Sequence, residues 1–200
     1  MKNRGLSDFF LFTCLDVIRF SPESPTSEQE SAIVKTDTGY VSGIITNQIR
    51  EYRGIPYAAP PVGNLRWKPP EPALPWEGVK ETKEFGPACP QPSARDPLTG
   101  EIHANMSENC LYLNVWTPAK RADEKLPVMV FIHGGAFHIG AGSLQLYNGT
   151  ALAKKGVIVV TINYRLGVFG FFPIPCFRKS LYITVQAITG SLTRLQPWSG

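Results

Sequence analysis

The residues in this chain best suited to chemistry are His133-Gly134-Gly135-Ala136-Phe137. They follow directly on the apolar run Leu126-Pro127-Val128-Met129-Val130-Phe131-Ile132. Glycine has no Cβ, so a strand that breaks into paired glycines lets backbone N–H groups approach a ligand closely. The plainer alternative is a tight turn between a strand and a helix. No side-chain nucleophile of the matching kind is present. A G-x-S-x-G sequence, the strand-to-helix turn that presents a catalytic serine, occurs nowhere in the 200 residues. Gly142-Ser143 and Gly190-Ser191 lack its second glycine and the strand before it. His103, His133 and His138, with Cys14, Cys89, Cys110 and Cys176, lack the close spacing of a metal site, so no metal and no cofactor is expected.

Several elements could position the loop. Ala32–Lys35 and Gly39–Ile45 read as short strands joined by a turn at Asp37-Thr38-Gly39. Tyr52–Tyr57 is another extended piece. Leu111–Trp116 alternates and is ended by Thr117-Pro118. Val128–Ile132 and Val157–Ile162 are continuous apolar strands, the pattern of strands buried on both faces. Thr150–Lys155 fits one short helix between them. Strand, glycine loop, helix and strand in succession predict a βαβ unit in a mostly parallel sheet, hence an α/β fold.

Hydrophobic residues make up 43% of the chain and charged residues 18%, which is ordinary for a globular protein with one core. The net charge of +4 is not gathered into a basic block, which argues against nucleic acid or an anionic membrane as partner. No apolar run is long enough to span a membrane. Many of the 18 prolines and 18 glycines fall between Pro56 and Pro97, interleaved with Tyr57, Trp67, Trp76 and Phe85 as anchors for long ordered loops. Residues 1–31 form a leader. Met1-Lys2-Asn3-Arg4 and the apolar Phe9–Leu15 have the outline of a secretory signal, but Asp8 and Asp16 interrupt it and no cleavage site is clear. Cys89 and Cys110 are placed to close a loop of favourable length by a disulfide, or to remain free thiols. Asn105-Met106-Ser107 and Asn148-Gly149-Thr150 are glycan acceptor sequences if the chain enters a secretory route.

Five segments occur in order at characteristic spacing: Tyr52-Arg53-Gly54-Ile55-Pro56-Tyr57-Ala58, Gly63-Asn64-Leu65-Arg66-Trp67, Glu108-Asn109-Cys110-Leu111-Tyr112-Leu113-Asn114-Val115, the His133 loop, and Asn163-Tyr164-Arg165-Leu166-Gly167-Val168-Phe169-Gly170-Phe171. Together they make residues 39–171 resemble the type-B carboxylesterase/cholinesterase family. The resemblance implies the N-terminal part of an α/β-hydrolase fold, incomplete, with a mostly parallel central sheet and a small N-terminal antiparallel sheet. It implies hydrolysis of small-molecule carboxylic esters by a Ser-His-Asp/Glu triad, and a secreted or extracellular protein. Gly135 and Ala136 match the family's two oxyanion-hole donors, which stabilise the anionic oxygen of a tetrahedral intermediate. Ala136 stands where a third glycine is common, without expected harm because the donor is backbone. His133 is expected to orient the loop, and neither His103 nor His138 matches the catalytic histidine. The resemblance also implies a Cys89–Cys110 disulfide and an Arg66–Glu108 salt bridge anchoring the proline-rich loop. Asn109 replaces the family's usual aspartate, weakening a polar contact at most.

The resemblance covers 32–172 as a partial esterase domain and stops near Phe172, leaving 173–200 as a tail unlike the family. A frame shift accounts for this. When the third base of each codon is read with the first two of the next, Val185–Gly190 permits S-G-N-Y-G. Ser191–Ser199 continues it as L-L-D-Q-I-A-A-L-E-W, the family's missing segment. The chain then carries oxyanion donors without nucleophile, acid or histidine and is expected to be inactive as written. Arg165 loses the aspartate that pairs with it in the family, and is expected to be an unpaired charge. Val128–Ile132 and Val157–Ile162 are expected to have open sheet edges. The competing reading is a non-catalytic esterase-like binding or adhesion module.

Overall fold

The computed structural model describes residues 31–92, 95, 100–101, 105–121 and 124–171. The leader up to residue 30, His103, Cys14, Cys176 and the tail at 173–200 lie outside the described residues. The strands are β1 (Ser31–Thr36), β2 (Gly39–Thr46), β3 (Ile49–Pro56), β4 (Val79–Glu81), β5 (Tyr112–Thr117), β6 (Val128–Ile132) and β7 (Ile158–Ile162). Two single-turn helices follow the loops of interest, α1 (Thr150–Ala153) and α2 (Gly167–Gly170).

The strands form one mixed sheet in the order β1-β2-β3-β5-β7-β6, with β4 beside β2. Only β6–β7 and β2–β4 run parallel, whereas β1–β2, β2–β3, β3–β5 and β5–β7 are antiparallel. This corrects the expectation of a mostly parallel sheet with a separate small antiparallel one. Turns of two residues join only antiparallel neighbours. Asn47 and Gln48, both at positive φ (51° and 67°), form such a turn between β2 and β3. Because β5 lies between β3 and β7, the N-terminal hairpins and the βαβ unit share one sheet. The βαβ unit itself is present, as β6, α1 and the parallel β7.

Alternation along β5 and β7 builds two cores. On one face Leu113, Val160 and Ile162 pack with Leu111, Tyr57, Tyr164 and the Cys89–Cys110 pair. On the other, Trp116 and Val159 meet Ile49 and Ala153 of α1. A third cluster joins Ala32, Val34, Val41 and Tyr52 across the hairpins. The sheet path ends on β6, where Val128 is 55% and Ile132 56% exposed. This corrects the expectation that β6 is buried on both faces. β7 is paired along both edges, so among the described strands of the βαβ unit the open edge falls on β6 alone.

Candidate active site

The loop that follows β6 turns sharply. The Gly135 carbonyl accepts from the amides of His138 (3.0 Å) and Ile139 (3.1 Å). Gly135 lies at φ +118°, and a Cβ there would run into the Ile139 carbonyl oxygen, so only glycine fits. Ala136 (φ 51°) and Phe137 (φ 65°) are left-handed, a conformation that costs an L-residue roughly 1–2 kcal/mol. Replacing glycine by Ala136 is therefore not conformationally neutral, although the amide it offers is unchanged. Among the described residues, no acceptor engages the amides of Gly135 or Ala136. Ala136 is exposed and Gly135 half-buried.

Both ends of the loop are fixed from β7 and the segment after it. His133 is buried, and its carbonyl accepts from the Tyr164 hydroxyl at 2.8 Å. The His133 imidazole stacks on the Tyr164 ring with centroids 4.4 Å apart. His133 Nδ1 lies 2.8 Å from the Gly134 carbonyl oxygen, and since a carbonyl only accepts, Nδ1 carries the proton in that contact. At the other end the Gly142 amide donates to Asn163 Oδ1 at 2.8 Å. The Gly142 carbonyl accepts from the Thr161 hydroxyl at 2.7 Å, and Asn114 Nδ2 donates to that hydroxyl at 2.9 Å. Asn163 in turn donates through Nδ2 to the Pro87 carbonyl (3.0 Å) and accepts from the Tyr57 hydroxyl (2.7 Å). The Phe137 carbonyl accepts from the Gly167 amide at 2.7 Å, which ties the middle of the loop to α2. At Gly140 the loop meets the Gln91 side chain.

Cys89 and Cys110 are disulfide-bonded and buried. Arg66 donates to Glu108 through Nε (2.5 Å to Oε2) and Nη2 (2.8 Å to Oε1), joining the turn at Gly63–Leu65 to the approach to β5. The Glu108 carboxylate holds the Arg66 guanidinium above its ordinary pKa. Arg165 is buried, and desolvation lowers its pKa while the Tyr57 oxygen opposes that shift. The Arg165 side chain is not without an interaction partner. Burial pushes the Tyr57 phenol up. Asn109 uses its own amide, donating to the Ser107 hydroxyl at 3.1 Å. Asn105 is exposed, whereas Asn148 Oδ1 accepts from the Thr150 amide at 2.9 Å. His138 is exposed at the loop surface. Among the described residues no three His, Cys, Asp or Glu side chains are grouped to hold a metal ion.

Several residues that hold the loop carried no assignment from the sequence. Asn163 and Tyr164 lie within a recognised segment, but their motif does not say that they clamp the loop. Asn114 was detectable as a polar residue inside an otherwise apolar strand. Gln91 had no pattern beyond its place two residues after Cys89.

A family model described as "Carboxylesterase family" matches residues 30–175. The para-nitrobenzyl esterase of Bacillus subtilis is 50% identical over 149 residues, covering 74% of this chain and 30% of that protein. Liver carboxylesterase 1F of Rattus norvegicus is 42% identical over 178 residues, covering 81% of this chain and 30% of that protein. Among solved structures, a carboxylesterase of Geobacillus stearothermophilus aligns with TM-score 0.70 at 40% identity, over 82% of this chain and 33% of that one. The chain therefore spans about a third of the length of the relatives it matches.

Proposed function

The chain belongs to the carboxylesterase family, and we propose that its glycine loop is the oxyanion-binding half of a carboxylic ester hydrolase site. One observation carries the reading. The amides of Gly135 and Ala136 are successive donors with no acceptor among the described residues, on a loop fixed at both ends. Donors held in place before reaction need no reorganisation as an ester carbonyl oxygen gains charge, and removing one such donor typically slows an enzyme by about 10²–10³-fold. His133 serves as an orienting residue, since its ring is stacked on Tyr164 and its Nδ1 proton is directed to the Gly134 carbonyl.

Donors alone do not break an ester bond. Acyl transfer also needs a nucleophile and a base, and the serine motif of this family is absent from the 200 residues. The chain as written therefore binds no covalent intermediate and turns over no ester. The segment resembling the family's continuation lies in the shifted frame of residues 185–199. The Cys89–Cys110 disulfide supports an oxidising, extracytoplasmic compartment.

Two measurements test this. The purified 200-residue chain is expected to release no p-nitrophenol from p-nitrophenyl acetate above the buffer rate, and clear turnover would refute the assignment of inactivity. The DNA across Phe171–Cys176 and onward is expected to encode the Gly-Asn-Tyr-Gly run in the shifted frame, and a native sequence without that run removes the frame-shift reading. Protein expressed from the restored frame is expected to hydrolyse the ester.

A further inference from the structure

We propose that Gln91 is a positioning residue for the glycine loop, pairing its carboxamide with the backbone of Gly140 and tying the loop to the disulfide. The geometry resembles a short piece of sheet made by a side chain. Gln91 Nε2 donates to the Gly140 carbonyl at 3.1 Å, and the Gly140 amide donates back to Gln91 Oε1 at 2.9 Å. The same Nε2 donates to the Cys89 carbonyl at 3.1 Å, which fixes the plane of the carboxamide. Cys89 is itself buried and covalently held to Cys110, two residues before β5.

Gly140 is the point where the loop closes on its own start. It is buried at φ +114°, and a Cβ there would meet His133 Nδ1 and the Gly134 carbonyl oxygen, the latter at 2.8 Å. Gly140 is therefore packed without room for a side chain against His133 and Gly134, immediately before the two amides. A buried peptide group needs partners for both its N–H and its carbonyl. At Gly140 a single side chain supplies both. Neither Ala nor a charged carboxylate replaces it: Ala has no polar group, and a carboxylate accepts but does not donate. The importance of this strap for reaction rests on the reading of Gly135 and Ala136 as oxyanion donors.

The test uses the 200-residue chain, labelled with ¹⁵N, as wild type, Gln91→Ala and Gln91→Glu. In Gln91→Ala, hydrogen exchange is expected to rise tenfold or more at His138, Ile139 and Gly140, with shifted resonances for Gly135 and Ala136. Exchange at Val160 in β7 is expected to stay within twofold of wild type. In Gln91→Glu at neutral pH the donor is missing and the same resonances move. Below about pH 4 the protonated carboxyl donates to the Gly140 carbonyl, and they return to wild-type positions. Unmoved loop resonances in Gln91→Ala overturn the proposal. So does a rise in exchange that includes Val160 equally, since that is general destabilisation. If Gln91→Ala does not fold, the reversibility of Gln91→Glu with pH decides. Methylphosphonate titrated into wild type tests the donor reading separately: absence of shifts at Gly135 and Ala136 removes that reading and leaves the Gln91 result standing.

Discussion

The Tyr164 hydroxyl donates to the His133 carbonyl at 2.8 Å while the two rings stack at 4.4 Å between centroids. The contact joins the first residue after β6 to the second residue after β7. Parallel strands end side by side, so the segments leaving β6 and β7 emerge together and a single phenol spans them. Burial raises the Tyr164 pKa, which keeps the phenol neutral and able to donate.

Replacing Tyr164 by Phe keeps the ring stack and removes the donor. The buried His133 carbonyl then loses that hydrogen bond, at a cost of about 1–2 kcal/mol. Urea denaturation of Tyr164→Phe should show this loss with an unchanged slope. A stability equal to wild type would mean that water replaces the hydroxyl without penalty.

The disulfide should matter more to stability than any single hydrogen bond of the loop. Cys89 and Cys110 are separated by 21 positions, a closed loop whose chain-entropy contribution is about 3 kcal/mol. Reduction with dithiothreitol is expected to lower the urea midpoint accordingly. The His138–Gly140 amides should lose exchange protection at lower denaturant than those of β7, because the Cys89–Gln91 segment carries the strap.

Much of the fold is readable from the sequence because it depends on local chemistry. The Asp37-Thr38-Gly39 turn, the alternation of β5 and the apolar β7 all appear where residue type places them. The sheet as a whole is not, because strand order is decided by long-range pairing. Leu113 opposite Ile162 and Trp116 opposite Val159 lie 49 and 43 residues apart in the chain. β6 shows a second limit. Its apolar run reports an environment suited to burial, yet Val128 and Ile132 are exposed because the path of the sheet ends there. For the site, Gly135 and Ala136 were visible as a glycine pattern, whereas Gln91 was not. One carboxamide acting on a backbone 49 positions away leaves no periodicity to detect.

Alkaline pH should unfold the hairpin core through Tyr52. Burial pushes its pKa up to about 12, against a smaller lowering by Arg50. The folded state thus favours the neutral phenol. That contribution is complete below the ordinary tyrosine pKa of about 10 and is lost as pH rises through the folded value. The Tyr52 hydroxyl is buried without a hydrogen-bond partner among the described residues. Tyr52→Phe should therefore leave neutral-pH stability unchanged or raise it by up to about 1 kcal/mol. Stability measured from neutral to strongly alkaline pH should fall less steeply in the variant. Some alkaline loss should remain, because burial also raises Tyr57.

Exchanging the two small residues of the loop should have opposite effects. Gly135→Ala places a Cβ against the Ile139 carbonyl and forces an L-residue to φ +118°, so the turn must open. A destabilisation of more than about 2 kcal/mol is expected, comparable to other strained or overpacked sites. Ala136→Gly relieves a left-handed alanine at φ 51° and adds freedom to the unfolded chain, terms that partly cancel. The net gain should lie below about 1 kcal/mol. Thermal unfolding of the two variants beside wild type reads both signs at once. A destabilised Ala136→Gly would show that the Ala136 methyl packs in a way its exposure does not indicate. If the shifted frame yields an active esterase as proposed, Ala136→Gly in that protein should retain ester hydrolysis, since the amide at that position is unchanged, whereas Gly135→Ala should lose it with the turn.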